Sequence, residues 1–197
     1  MPFMSYQSSP GTAVLNAGRM LKESGCQSIK MEGGSHIAET IKRTVDSGIP
    51  VMGHIGLTPQ SINQIGGYRI QGKTSEEADG FVEDALCLEE AGVYAVVLEL
   101  MPSALAELIT QRLSIPTIGI GAGPYCDGQV QVLHDILGLY DEFVPSHTRR
   151  YAELGDIING VVRTYIQDVE EGIFPTNIEM VGKTEGTVPE IEIPTRE

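Results

Sequence analysis

The feature that most restricts this chain is a repeated order of helix-patterned segment, glycine, short apolar run and polar residue. Gly25, Gly48 and Gly92 each stand just before an apolar run, and the runs give out at Glu32, His54 and Glu99. Alternation of this kind specifies an α/β fold with a parallel sheet and right-handed crossovers. The clearest run is Ala95 to Glu99, β-branched and apolar between Gly92 and Pro102, as expected of a strand buried on both faces. A carboxylate closes it. A buried carboxylate costs several kcal/mol unless it is paired, metal-bound or protonated, so an acid in this place points to a site rather than to a core. In α/β folds the carboxyl ends of the strands carry the chemistry.

Taken in order, Met1 to Tyr6 is apolar and aromatic and reads as the tail of a strand. Ser9 caps a helix with Pro10 at its first position, Val14, Ala17 and Leu21 share one face, and Gly25 stops it. A strand over Gln27 to Met31 follows, its end placing Lys30 and Glu32 on the same side, with Gly33 and Gly34 turning the chain. Ile37, Ile41 and Val45 mark the next helix, and Pro50 to His54 another strand with its polar residue last. Leu57 to Lys73 reads as a long loop, uncommon in compact domains unless functional. Thr74 and Glu77 form a capping box for a helix that turns Ala78, Phe81, Val82, Ala85 and Leu86 inward. Pro102 begins a helix to Leu113, and Ile115 to Ile120 is a strand opening into Gly121-Ala122-Gly123. Gly128 to Leu137 reads as helix, although Val130 and Val132 alternate as a strand would, and Glu142 to Val144 as a short strand before a basic loop, His147 to Arg150. Ile157, Val161, Tyr165 and Val169 mark a last helix, and the tail beyond Pro175 is expected to be exposed or disordered. The count is about five strands, against the eight of a closed (β/α)₈ barrel, and the apolar start suggests strands upstream.

The chain's 27 acidic and 13 basic residues give a net charge of −14, which disfavours nucleic acid and anionic membrane surfaces as partners. An anionic ligand must find local cations, for which Lys30, Arg69, Lys73, Arg149 and Arg150 are the candidates. Cys26, Cys87 and Cys126 fit neither a disulfide framework nor a zinc site and read as packing residues in a reducing cytoplasm. No run suits a membrane span or a signal peptide.

Lys30, Glu32, His54, Glu99 and the Gly119 to Gly123 loop all fall at the ends of separate strands, and such ends share one face of a parallel sheet. Glu99 reads as a general base, against an ion pair with Lys30 or Arg69. Glu32 reads as a direct or water-mediated Mg²⁺ ligand, against a hydrogen bond to loop amides. His54 either orients substrate or is structural. Gly119 to Gly123 lacks the spacing of a dinucleotide loop and suits a tight turn or a close approach of ligand to backbone.

The stretch VMGHIGLTPQSINQIGGYRIQGK at Val51 to Lys73, with PFMSY at Pro2 to Tyr6, IKMEGG at Ile29 to Gly34, LELMP at Leu98 to Pro102 and IGIGAG at Ile118 to Gly123, resembles the ketopantoate hydroxymethyltransferase family from Pro2 to about Pro175. The resemblance implies a (β/α)₈ barrel of which this chain supplies about the last five strands, with residues 1–175 as partial catalytic domain and 176–197 as tail. It implies transfer of a hydroxymethyl group from 5,10-methylenetetrahydrofolate to 3-methyl-2-oxobutanoate, with Mg²⁺ chelated by the keto acid, in a cytoplasmic homo-oligomer. By the same likeness Glu99 takes the substrate's C3 proton, Lys30 binds the keto acid and Glu32 belongs to the metal site. A carbon acid beside a carbonyl needs a Lewis acid before a carboxylate can deprotonate it, which is the role the metal fills.

The family's chains begin several strands earlier, and that part carries two direct aspartate ligands of Mg²⁺, the second just before position 1, and a serine touching the keto acid. The leading expectation is therefore the C-terminal portion of such an enzyme. The alternatives are an inactive subunit or pseudoenzyme acting through assembly, and a Mg²⁺-dependent carbon–carbon bond enzyme of related fold acting on another 2-oxo acid.

Overall fold

A computed structural model of the protein describes residues 1–140 and 144–176. The chain runs α1 (Pro10–Ser24), β1 (Ile29–Glu32), α2 (Ala38–Asp46), β2 (Val51–Gly56), α3 (Ile62–Ile65), α4 (Ser75–Glu90), β3 (Ala95–Glu99), α5 (Ser103–Arg112), β4 (Thr117–Ile120), β5 (Gly128–Gln129), α6 (Leu133–Ile136) and α7 (Leu154–Glu170). The five strands form one wholly parallel sheet in the order β1-β2-β3-β4-β5. Helices join β1 to β2, β2 to β3 and β3 to β4, the α/β arrangement expected and the order of consecutive strands in a (β/α) barrel, while β5 follows β4 through residues 121–127 without a helix.

Local chemistry explains the elements. Ser9 caps α1 through its hydroxyl, which accepts from Thr12 N, Pro10 stands in the first turn, and Gly25 ends the helix at φ 72°. Thr74 and Glu77 make the full reciprocal capping box of α4. Helices α1, α2, α4 and α5 contact one another in turn. The sheet face turned to them carries Met31, Val51, Ile55, Val96 and Leu98, which join Ile41, Leu88 and Ile109 in the buried core.

Several expectations need correction. Met1 to Tyr6 is a turn rather than strand, although Tyr6 is buried. β2 continues two residues beyond the expected end, so His54 lies inside the strand and not at its tip. Leu57 to Lys73 is not loop throughout, since it holds a 3₁₀ turn at Pro59–Ser61 and the short α3. Gly128 to Leu137 is β5 followed by α6 instead of one helix, because Gly128 and Gln129 pair with Ile118 and Gly119 and so satisfy their backbone in the sheet. Leu86 faces outward on α4, and Leu88 takes the inward place. The strand expected over Glu142 to Val144 falls largely outside the described residues, as does the tail from 177 onward. No helix among the described residues is long and apolar enough to cross a membrane.

Candidate active site

In a parallel ladder, residues in register point to the same side of the sheet and neighbours along a strand alternate. Glu32 is in register with His54, His54 with Val97, and Gly56 with Glu99. Lys30, Glu32, His54 and Glu99 therefore project from the face opposite the helices, at the carboxyl end of β1, β2 and β3. The structure brings all four together, His54 from inside β2 rather than from its tip.

His54 is the centre of the group. It is buried to 2% exposure. Its Nδ1 lies 2.9 Å from Lys30 Nζ and 3.9 Å from Glu32 Oε1, and its Nε2 lies 3.0 Å from Glu99 Oε2. The Nε2 to Glu99 approach is short but off the line of the ring N–H, which leaves that buried nitrogen without an aligned partner. Lys30 Nζ is also 3.5 Å from Glu32 Oε1. The ion pair considered for Glu99 with Lys30 or Arg69 is replaced by this imidazole contact.

Glu32 is held from behind by residues that the sequence patterns did not single out. Gln60 N donates to its Oε2 at 3.0 Å, the loop-amide bond weighed for this residue. The Tyr6 hydroxyl accepts from Glu32 N at 3.0 Å and lies 3.1 Å from both Glu32 O and Gln60 Oε1. Gln60 Nε2 also donates to Met1 O, and the Met1 amino group donates to Lys30 O at 2.8 Å. Burial pushes the Tyr6 phenol up from its ordinary pKa and pulls the Met1 amine down, the latter with help from the Lys30 charge.

Backbone geometry shapes the approach to Glu99. A side chain on Gly56, at φ +92°, would meet Glu99 O at 2.1 Å, so only glycine lets β2 and β3 close at this level. Leu100 has φ 50°, uncommon for a non-glycine residue, and turns the chain directly after Glu99. Beyond it a cleft of about 900 Å³ opens, lined by Glu99, Tyr68, Arg69, Lys73, Tyr140 and His147 among others. Of the basic residues expected to serve an anion, Arg69 and Lys73 line this cleft, whereas Arg150 pairs with Glu153 and Arg149 lies over the Tyr151 ring. Of the Gly119 to Gly123 stretch, Gly119 and Ile120 still belong to β4, and the chain bends only from Gly121 on, with Gly121 and Gly123 at positive φ and Gly121 leaving room for the His147 ring.

The donor set can be tested for a divalent cation. Among the described residues no group of three or more His, Cys, Asp or Glu side chains is placed to hold one. Glu32 Oε1, the oxygen not accepting from Gln60 N, remains. A single carboxylate oxygen fits Mg²⁺ only as one ligand of several, the other positions falling to water and substrate oxygens.

Fold and site together define a parallel α/β protein with an acid–base cluster at its strand ends. The chain belongs to the ketopantoate hydroxymethyltransferase family, whose model matches residues 1–177. It is 57% identical over 176 residues to a 3-methyl-2-oxobutanoate hydroxymethyltransferase of Dehalococcoides mccartyi, covering 89% of this chain and 63% of that protein. The enzymes of that name from Chloroflexus aggregans and Geobacter metallireducens are 58% and 55% identical, each over 89% of this chain and over 62% and 66% of their own lengths. The chain thus spans under two thirds of the length of these relatives. Among solved structures, phosphonopyruvate hydrolase overlays 92% of this chain and 64% of its own at a TM-score of 0.49 and 11% identity, a likeness too slight to bear on fold or chemistry.

Proposed function

We propose that this chain carries the proton-abstracting part of a ketopantoate hydroxymethyltransferase, which moves a one-carbon unit from 5,10-methylenetetrahydrofolate to 3-methyl-2-oxobutanoate in pantothenate synthesis. The observation behind this reading is the convergence of Lys30, Glu32, His54 and Glu99 beside an open cleft. Glu99 is the general base: an oxygen of its carboxylate takes the C3 proton, and the C3–H electron pair becomes the carbon–carbon double bond of an enolate. That carbon then attacks the one-carbon unit. General-base catalysis of this kind contributes about 10²- to 10⁴-fold.

Lys30, partly exposed and placed next to Glu32, binds the anionic keto acid and sets positive charge near the oxygen that gains charge as the proton leaves. Glu32 contributes to holding Mg²⁺, which when bound supplies Lewis-acid stabilisation of the keto oxygen. The segment from Leu57 to Lys73 is the proposed seat of the folate, with Arg69 and Lys73 available to its carboxylates. Residues 1–175 are read as part of a (β/α)₈ barrel, in a homo-oligomer consistent with the exposed apolar face of α7. Three unpaired thiols support a reducing, cytoplasmic setting.

The test is exchange of the C3 hydrogen of 3-methyl-2-oxobutanoate in D₂O with Mg²⁺, followed by NMR, and then ketopantoate formation on adding methylenetetrahydrofolate. Exchange that disappears in Glu99→Gln is the expected result. No exchange by the chain at saturating keto acid and Mg²⁺ overturns the reading.

A further inference from the structure

The geometry points to His54 as a positioning residue for Glu99, locked by Lys30 in the tautomer that carries its proton on Nε2. The inference builds on Glu99 as the base. Lys30 Nζ and His54 Nδ1 are 2.9 Å apart. An ammonium has three N–H donors and no lone pair, so in this contact Lys30 donates and Nδ1 accepts. The neutral ring then keeps its one proton on Nε2, which faces Glu99 Oε2 at 3.0 Å.

Among the described residues no other contact to the ring competes for this arrangement. Glu32 Oε1, which would favour a proton on Nδ1, is at 3.9 Å and beyond hydrogen-bond reach. The Nε2 atom is fully buried, and no aligned partner takes its hydrogen. A buried, unspent donor is destabilising, a penalty removed as soon as an acceptor comes into line. Glu99 Oε2 stands 3.0 Å away as an acceptor, and catalytic hydrogen bonds often lie off-line without substrate and straighten in the complex. A small rotation of the Glu99 carboxyl group aligns the bond, fixes Oε2, and leaves Oε1 as the oxygen that meets the substrate proton. The ammonium that binds the keto acid thereby also orients the base, through one imidazole.

Two arms test this. The first is ¹⁵N NMR of the histidine rings in the whole chain, with His54 assigned by its loss in His54→Gln. A neutral ring protonated on Nε2, which shifts toward a tautomer mixture in Lys30→Met, is expected. A ring protonated on Nδ1 or on both nitrogens near neutral pH, or a tautomer indifferent to Lys30→Met, overturns the inference. The second arm is the C3 exchange assay. Misorienting a catalytic group costs on the order of 10²-fold, so His54→Leu should lower kcat by about that factor with KM for the keto acid little changed. His54→Gln, whose amide N–H can reach the place of Nε2–H, should recover part of the loss. Equal loss in both variants, or a loss confined to KM, also overturns it. If the native chain shows no exchange, the proposed function fails, while the NMR spectrum alone still decides the state of His54.

Discussion

The rim formed by β1, β2 and β3 and the helix α7 are both rich in apolar residues, and the molecule uses them in opposite ways. Val96 and Leu98 are completely buried between sheet and helices, and that packing is what allows Glu99, one residue on, to be held against His54. On α7, by contrast, Ile157 and Val161 are 60% and 63% exposed, and Tyr165 and Val169 are exposed as well. The spacing that marks a helix face says that something should cover it. It does not say what does. Precision at the site therefore comes from the first 120 residues or so of the sheet and its helices, and the C-terminal helix adds little to it.

The largest effect that separates the two regions is chemical. Glu99→Gln should reduce C3 exchange by about 10²- to 10⁴-fold with the fold intact, measured against circular dichroism of the same sample. Unchanged exchange would remove the rim from the chemistry. Next in size, Leu98→Ala should cost about 2 to 5 kcal/mol in urea unfolding, whereas Ile157→Ala on α7 should stay within about 0.5 kcal/mol. Equal costs would show that α7 is covered in solution.

Smaller effects sharpen the picture at Glu32. Tyr6→Phe removes the hydroxyl that accepts from Glu32 N, and should cost about 1 to 3 kcal/mol because a backbone donor is left without its partner. The same phenol gives a pH signature. Burial raises its folded pKa above 10.0, so the folded chain keeps the proton that the unfolded chain loses first. Its contribution to stability is intact below pH 10 and falls as pH rises past that value toward the higher folded pKa. In Tyr6→Phe the alkaline fall in melting temperature should be shallower than in the native chain.

How much of this was legible in the sequence follows from where the signals are local. β3 was readable residue for residue, because five apolar or closing residues sit between a glycine and a proline. The α1 and α4 boundaries were readable from Ser9, Gly25, Thr74 and Glu77, each of which acts within one turn. β5 was not, since two residues are too few to show a period and only pairing with β4 makes them a strand. His54 was placed at a tip because a polar residue was taken to close the apolar run, whereas in the sheet β2 goes on to Gly56, the residue that lets it lie close to Glu99 O. Tyr6 and Gln60 were missed entirely as supports of Glu32, since they come from positions 26 and 28 residues away and nothing in either neighbourhood marks them.

The left-handed turn at Leu100 has one more implication. The peptide groups on its two sides are tied in opposite directions: Leu100 N donates to Ile120 O, and Leu100 O accepts from Gln71 N, both at 2.9 Å. The segment that borders the cleft is thus fastened to the very next residue after Glu99, with no slack between them. The wall of the cleft between Arg69 and Lys73 and the carboxylate one residue upstream of the turn therefore share a single backbone anchor.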